Sequence, residues 1–146
     1  MLHQLRRPIA GAYAIICSVI VSLHVATGGA AGALLRSRTL ALALGPALHL
    51  AGDRVPHEDI PDRSFEIGSG LVTLGLLAAR RGLFDPAVLG GAAASVPDLE
   101  HIVPWLRLRG EKLFHRGVGR HGAGISAEAQ LLLAGAIVGL LLGRRR

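Results

Sequence analysis

The chain has 146 residues, of which 51% are hydrophobic and 18% charged, and its formal net charge is +6. This length allows four or five helices around one core and leaves no room for a second independent core. A positive charge suits nucleic acid, but the arginines lie between and beyond apolar runs, not on one polar face with aromatics, which excludes a nucleic-acid partner. The apolar excess predicts a single helical membrane domain over residues 1–146, with basic residues flanking the lipid.

The first apolar run covers residues 8–35 without a charged residue and is bordered by arginines. It is long enough to span a bilayer core of roughly 30 Å. Its basic start and its small-residue stretch at 26–30 also resemble a cleavable secretory signal. Because the run continues past that point, we expect a retained membrane helix. His24 lies in the middle of the run, where a polar side chain indicates either a functional group or a buried hydrogen bond between helices.

Three shorter apolar runs follow, over residues 39–51, 67–79 and 86–96. A glycine-proline pair should kink the first of them, and two arginines and a glycine after the second are typical of a helix end. Asp85 before Pro86 predicts an N-cap with proline at the first helical position. Each run is shorter than the roughly 20 residues that cross a bilayer unaided, so we expect short sheltered spans or a packed bundle.

A polar connection over residues 98–124 precedes the last helix. Ser126 with Glu128 in the first turn indicates where that helix begins, and it runs to Gly143 before three terminal arginines suited to lipid headgroups. The predicted fold is therefore all-α: a helical membrane bundle of four to five apolar helices with a polar connection before the last one. Membrane lipid is the expected partner.

Histidines and acidic residues form three clusters along this pattern. In the first cluster, a histidine and an aspartate are four residues apart and therefore lie on one helix face. In the second cluster, an aspartate and a histidine are three residues apart and lie on one helical turn. The third is a pair of histidines in a glycine-rich loop. Ordinary alternatives are an intrahelical hydrogen bond, an aspartate serving the helix dipole and a basic surface loop. The clusters are His49 with Asp53, Asp98 with His101, and His115 with His121.

Topology links these clusters. In an up-and-down bundle the C-terminal ends of the second and fourth helices emerge on the same side, so all three clusters should converge at one end. A pore or an ordinary packed bundle does not require such a convergence, whereas ion coordination by nitrogen and oxygen ligands does. We predict a divalent metal, zinc before manganese or iron, bound by these six residues.

Two motifs resemble known proteins. Residues 97–101, Pro-Asp-Leu-Glu-His, and residues 115–122, His-Arg-Gly-Val-Gly-Arg-His-Gly, resemble the PD-x-D-H and H-R-G-x-T-H-S motifs of the bacterial membrane-bound metal-dependent hydrolases. Residues 49–53 also resemble the H-x-x-G-D helix motif of zinc-dependent phospholipases C, although His57 does not keep that group's later histidine spacing. Glu100 replaces the second acidic residue of the first motif, and the second motif is one residue longer and lacks its hydroxyl residues.

The resemblance implies a membrane-embedded hydrolase of the bacterial inner membrane, acting on a phosphoester or lipid-like substrate. Zinc would lower the pKa of its bound water toward about 7. Glu58 or Glu100 would act as general base, and Arg116 and Arg120 would hold an anionic group, unless they only contact headgroups or solvent.

Two other functional classes fit the same sequence. The first is a non-catalytic integral membrane protein with a structural metal or a hydrogen-bonded His/Asp cluster, in which any metal would be fully coordinated. The second is a transporter that uses His24 in a relay, which would require polar residues throughout the spans.

Overall fold

The computed structural model of the chain describes residues 19–103 and 124–143. Helices dominate both ranges, and no β-strand forms within them; a single isolated bridge pairs His57 with Ile125. The all-helical prediction is confirmed. The helices are α1 (Val21–Leu35), α2 (Arg38–Gly52), α3 (Arg63–Arg81), α4 (Pro86–Ser95), the single turn α5 (Leu99–Ile102) and α6 (Ala127–Gly143).

Local capping signals set the helix ends. Asp85 caps α4 by accepting a hydrogen bond from the Ala87 amide at 2.9 Å, and the Ser126 hydroxyl accepts one from the Ala129 amide at 3.2 Å at the start of α6. α3 ends at Gly82, whose φ of 90° lies in the region that favours glycine. Pro46 does not end α2, which continues through it as one helix of 15 residues.

α1 is the central helix and contacts α2, α3, α4 and α6. Its backbone approaches that of α4 closely: a Cβ atom added at Gly28 would clash with the Gly90 carbonyl oxygen, and one at Gly32 would clash with the Pro86 carbonyl oxygen. Small residues on both helices therefore replace bulky side chains at this contact. The rest of the core is aliphatic and includes Ile20, Leu23, Val25, Leu77, Val88 and Val138.

The expected membrane-spanning helices are not found in residues 19–103 and 124–143, where no helix is both long enough and apolar enough to cross a membrane. α1 has 15 residues and α6 has 17, below the roughly 20 that a bilayer requires. α3 has 19 but carries charged residues in its first and last turns. The prediction of transmembrane helices is therefore wrong for the described part of the chain.

The first apolar run is also not one helix. Residues 19 and 20 are not helical, and Ile20 precedes α1 with extended-type dihedral angles, φ −55° and ψ 140°. α1 therefore begins in the middle of the apolar run. Residues 1–18, which hold the first part of that run and the start of the suggested signal segment, lie outside the described residues.

Candidate metal centre

Three chain segments bring four polar side chains together inside the bundle. His24 comes from the first turn of α1, His49 from the last turn of α2, Asp53 from the end of α2, and Asp98 from the residue before α5. All four residues are buried, with exposed fractions between 0% and 7%. Burying this many polar groups is costly unless they are hydrogen-bonded or hold an ion. We call these four residues the His/Asp cluster.

Asp53 lies between the two imidazoles of the cluster. Its Oδ1 atom is 3.1 Å from His24 Nε2, and its Oδ2 atom is 3.1 Å from His49 Nε2. The same Oδ1 atom accepts a hydrogen bond of 3.1 Å from the Val19 amide. Gly52 leaves space for the His24 ring, because a Cβ atom there would lie 3.2 Å from its Cε1 atom. The carboxylate thus fixes both rings relative to the start of α1.

The hydrogen bonds of His49 determine whether its Nε2 atom donates or accepts. Its Nδ1 atom is 2.8 Å from the Ala94 carbonyl oxygen, and because a carbonyl only accepts, Nδ1 must carry a hydrogen. In the neutral ring the Nε2 atom then carries a lone pair. This atom faces Asp53 Oδ2 at 3.1 Å and Asp98 Oδ1 at 3.6 Å. Such contacts are favourable only when a proton or a metal ion lies between the atoms.

Three of the four residues have the geometry of a ligand set. His24, His49 and Asp98 each offer one ligand atom, and these atoms lie within 4.8 Å of one another. Two imidazoles and a carboxylate suit zinc and also other first-row divalent ions. Histidine ligands usually donate their other nitrogen to a carbonyl or carboxylate, as His49 does to Ala94. This group can therefore hold a metal ion, with the Asp53 carboxylate orienting His24 and the Ala94 carbonyl orienting His49.

The structure brings together three of the predicted ligands, namely His49, Asp53 and Asp98. His101 belongs to α5, but its side chain is outside the described residues, and so are the third cluster and its two arginines, His115, Arg116, Arg120 and His121.

The two glutamates considered as general bases differ in their surroundings. Glu58 is exposed, and its backbone amide donates to the Ile125 carbonyl at 3.0 Å. Glu100 is 2% exposed and lies on α5, two residues after Asp98. Burial and nearness in the chain therefore favour Glu100 over Glu58 as a group near the cluster.

His24 is a possible ligand that the sequence pattern did not indicate, because the uninterrupted apolar run predicted one long helix with this residue in its middle. Since α1 begins at Val21, His24 lies in the first turn instead. The start of α1 and the end of α2 meet at the same end of the bundle, where His24 stacks on His49. The sequence signal for His24 was a histidine in an otherwise apolar segment. Such a residue indicates a functional group in general, but the pattern does not show which other residues it contacts.

Glu66 is a second residue that the sequence did not identify. It lies in the first turn of α3. Burial first, and then the negative charges of Asp98 and Asp59, raise the pKa of Glu66 from the ordinary 4.5 to about 7, although the positive charge of Arg63 acts in the opposite direction. Glu66 is therefore within electrostatic range of the His/Asp cluster and of the segment before α3.

Comparison with protein-family models, with curated proteins and with solved structures finds no match for this chain.

Proposed function

We propose that this protein is a divalent-metal-dependent hydrolase whose metal is held by His24, His49 and Asp98. The observation that carries the proposal is the position of His49 Nε2, which lies 3.1 Å from Asp53 Oδ2 and 3.6 Å from Asp98 Oδ1, both on buried carboxylates. A divalent cation at this point converts these contacts into coordination by nitrogen and oxygen, the donor set that zinc prefers.

Hydrolysis is supported by the likeness of residues 97–101 to the metal-dependent hydrolase motif. A bound zinc ion would supply hydroxide near neutral pH by lowering the pKa of its water to about 7. In this chain, Asp53 and the Ala94 carbonyl would orient the imidazoles, and Glu100 would accept the proton of the attacking water. A phosphoester or lipid-like substrate follows from the same likeness, and the location in a bacterial inner membrane with lipid as partner stays a prediction.

Burial favours a second candidate function. All four members of the His/Asp cluster are at least nine-tenths buried, and closed sites of this kind usually hold structural metals, whereas catalytic sites keep a position open to water. In this alternative the ion clamps the start of α1 to the end of α2 without taking part in a reaction.

Elemental analysis of the purified full chain tests metal binding. We expect about one equivalent of zinc in the wild type, and its loss in the variants His24→Ala, His49→Ala and Asp98→Asn. Glu58→Gln is the matched control, since Glu58 is exposed, and it should keep the metal. Circular dichroism verifies the helix content of each variant. Wild type without stoichiometric metal, or cluster variants that retain all of it, would refute the proposal.

Cobalt substitution separates the two candidate functions. If the ion has an open position, added azide should change the visible absorption of the cobalt protein, and the zinc protein should hydrolyse bis-p-nitrophenyl phosphate. If the ion is fully coordinated by the chain, the spectrum should not respond to azide and the zinc protein should be inactive, which would establish the structural role.

A further inference from the structure

The outward faces of α3 and α6 form an apolar surface that is exposed in the described chain. Neither helix has a charged residue in its middle, over residues 67–79 and 129–143. Because the two helices pack against each other and both pack against α1, their faces turned away from α1 adjoin. We call this surface the α3/α6 face. Its large side chains are 46% to 75% exposed, namely Leu71, Val72, Leu76, Leu132, Leu133 and Leu140.

The α3/α6 face is larger than the apolar patches that single chains normally expose. At these exposed fractions its six large residues present on the order of 700 Å² of apolar surface, against roughly 300–600 Å² for the largest patch of a typical monomer. Each partner of a typical stable complex buries about 800 Å². The face therefore has the size of one half of a stable interface.

A row of glycines on α6 shows how closely a partner can approach this face. Gly135, Gly139 and Gly143 are four residues apart and hence lie on one side of the helix. A Cβ atom added at any of them would meet no atom of the described residues within 4 Å, although glycine destabilises a helix relative to alanine. Inside the bundle, Gly28 and Gly32 have the same spacing on α1 and let its backbone approach that of α4. The row on α6 thus offers the same close approach to a helix from outside.

The chemistry of the face favours a second copy of this chain as the partner. Exposed leucines, Leu132 and Leu140, stand beside the glycine row, so one helix carries both the ridge and the groove of a helix contact. A two-fold axis places the ridge of one copy against the groove of the other, as a self-complementary interface requires. Between residues 129 and 143, α6 has no exposed polar side chain through which a charged partner could be recognised.

We infer that two copies of the chain associate through the α3/α6 face, with α6 of one copy crossing α6 of the other at the glycine row. The inference goes beyond the proposed function and does not depend on it, because α3 and α6 supply no ligand to the His/Asp cluster. Association covers the face only above the dissociation constant. At lower concentrations Leu132 and Gly75 are open to water, and substitutions there change the stability of the single chain alone.

Sedimentation equilibrium of the full chain over a range of concentrations tests the inference. We expect a monomer–dimer equilibrium for the wild type. Gly139→Leu fills the groove without touching other described residues, and Leu140→Gln makes the ridge polar, so each should weaken association by about tenfold or more. Leu44→Gln is the matched control, because Leu44 is 42% exposed on α2, outside the face, and it should associate like the wild type. Circular dichroism verifies the helix content of each variant.

The outcomes distinguish a second copy from other occupants of the face. A dimer that Gly139→Leu and Leu140→Gln weaken, and Leu44→Gln does not, would establish the interface. A wild type that stays monomeric at every concentration would overturn it, and so would association that Leu44→Gln weakens as much as Leu140→Gln does. A monomer that floats with phosphatidylcholine vesicles, and floats less after Leu140→Gln, would overturn the dimer and assign the face to lipid.

Discussion

The imidazole rings of His24 and His49 stack with their centroids 3.8 Å apart and their planes at 26°, and the two oxygens of Asp53 contact one ring each at 3.1 Å. Two buried rings at this distance would repel if both were charged. A single positive charge can be shared by both rings through the carboxylate. Asp53 therefore contacts both imidazoles in the metal-free chain. When His49 Nε2 binds a metal ion, the Asp53 carboxylate would orient His24 and the Ala94 carbonyl would orient His49.

Asp53→Asn should weaken zinc binding about 10-fold to 100-fold, the range typical of groups that orient metal ligands. The amide keeps the shape of the carboxylate and can still accept from Val19, so the helix content should not change. Competition with a chromophoric chelator measures the affinity, with Glu58→Gln as control. Equal affinities for the wild type and Asp53→Asn would show that the carboxylate does not orient the rings.

Short-range signals in the sequence predicted the helices well. The caps at Asp85 and Ser126 depend on residues within four positions of each other, and the structure contains both. The spacing of His49 and Asp53 belongs to the same class, because a helix alone brings residues four apart to one face. All of these features are fixed by the backbone geometry of one element.

The rest of the candidate site depends on where elements meet. His24 joined the cluster because α1 begins at Val21, and an uninterrupted apolar run carries no signal for that start. Glu66 and Asp98 belong to different segments and come within electrostatic range of each other only in the folded bundle, and sequence spacing does not contain that information. The membrane prediction was wrong for the described helices because the length of an apolar run in the sequence does not show where each helix begins and ends.

Gln130 should contribute more to stability than any apolar residue of its size on α6. It is completely buried; its Oε1 atom accepts from the Ile20 amide at 3.2 Å, and its Nε2 atom donates to the Glu58 and Ile125 carbonyls at 2.7 and 3.2 Å. Gln130→Leu removes all three bonds, but the Ile125 carbonyl keeps the bond from the Glu58 amide. The Ile20 amide and the Glu58 carbonyl lose their bond to Gln130, at about 1–3 kcal/mol each, so we expect the free energy of unfolding to fall by about 2–6 kcal/mol in urea denaturation.

The control for this substitution is the reverse exchange at an exposed site of the same helix. Leu132 is 75% exposed, so Leu132→Gln should change the free energy of unfolding by no more than about 0.5 kcal/mol. If Gln130→Leu is equally mild, the hydrogen bonds of Gln130 do not hold α1 and the segment after α2 to α6.

Two glycine substitutions should change stability in opposite directions. A Cβ atom at Gly32 would clash with the Pro86 carbonyl, so Gly32→Ala must push α1 away from α4 and should cost about 1–3 kcal/mol. Gly75 lies inside α3 with no neighbouring atom within 4 Å of such a Cβ. Gly75→Ala should therefore stabilise the chain by about 0.5–1 kcal/mol, because alanine loses less backbone entropy. Melting temperatures of the two variants measured side by side test this, and a Gly32→Ala variant as stable as the wild type would contradict the close approach of α1 and α4.

Glu66 should make the chain less stable as the pH rises. In the folded chain its pKa is about 7, against an ordinary 4.5, so between these values the folded state binds more protons than the unfolded state. The free energy of unfolding then falls with rising pH through this window and levels off above it. Glu66→Gln cannot ionise, so with chelator present it should match the wild type near pH 4 and be the more stable of the two near pH 8.

Glu128 provides a control of opposite sign for the pH experiment. Hydrogen bonds from its own backbone amide and from the Ser126 hydroxyl lower the pKa of Glu128, so its contribution to stability is present above the ordinary pKa and is lost as the pH falls through the lowered value. Glu128→Gln should therefore be less stable than the wild type at neutral pH, whereas Glu66→Gln should be more stable there. A Glu66→Gln variant that is less stable than the wild type at neutral pH would contradict the burial of Glu66 and its repulsion by Asp59 and Asp98.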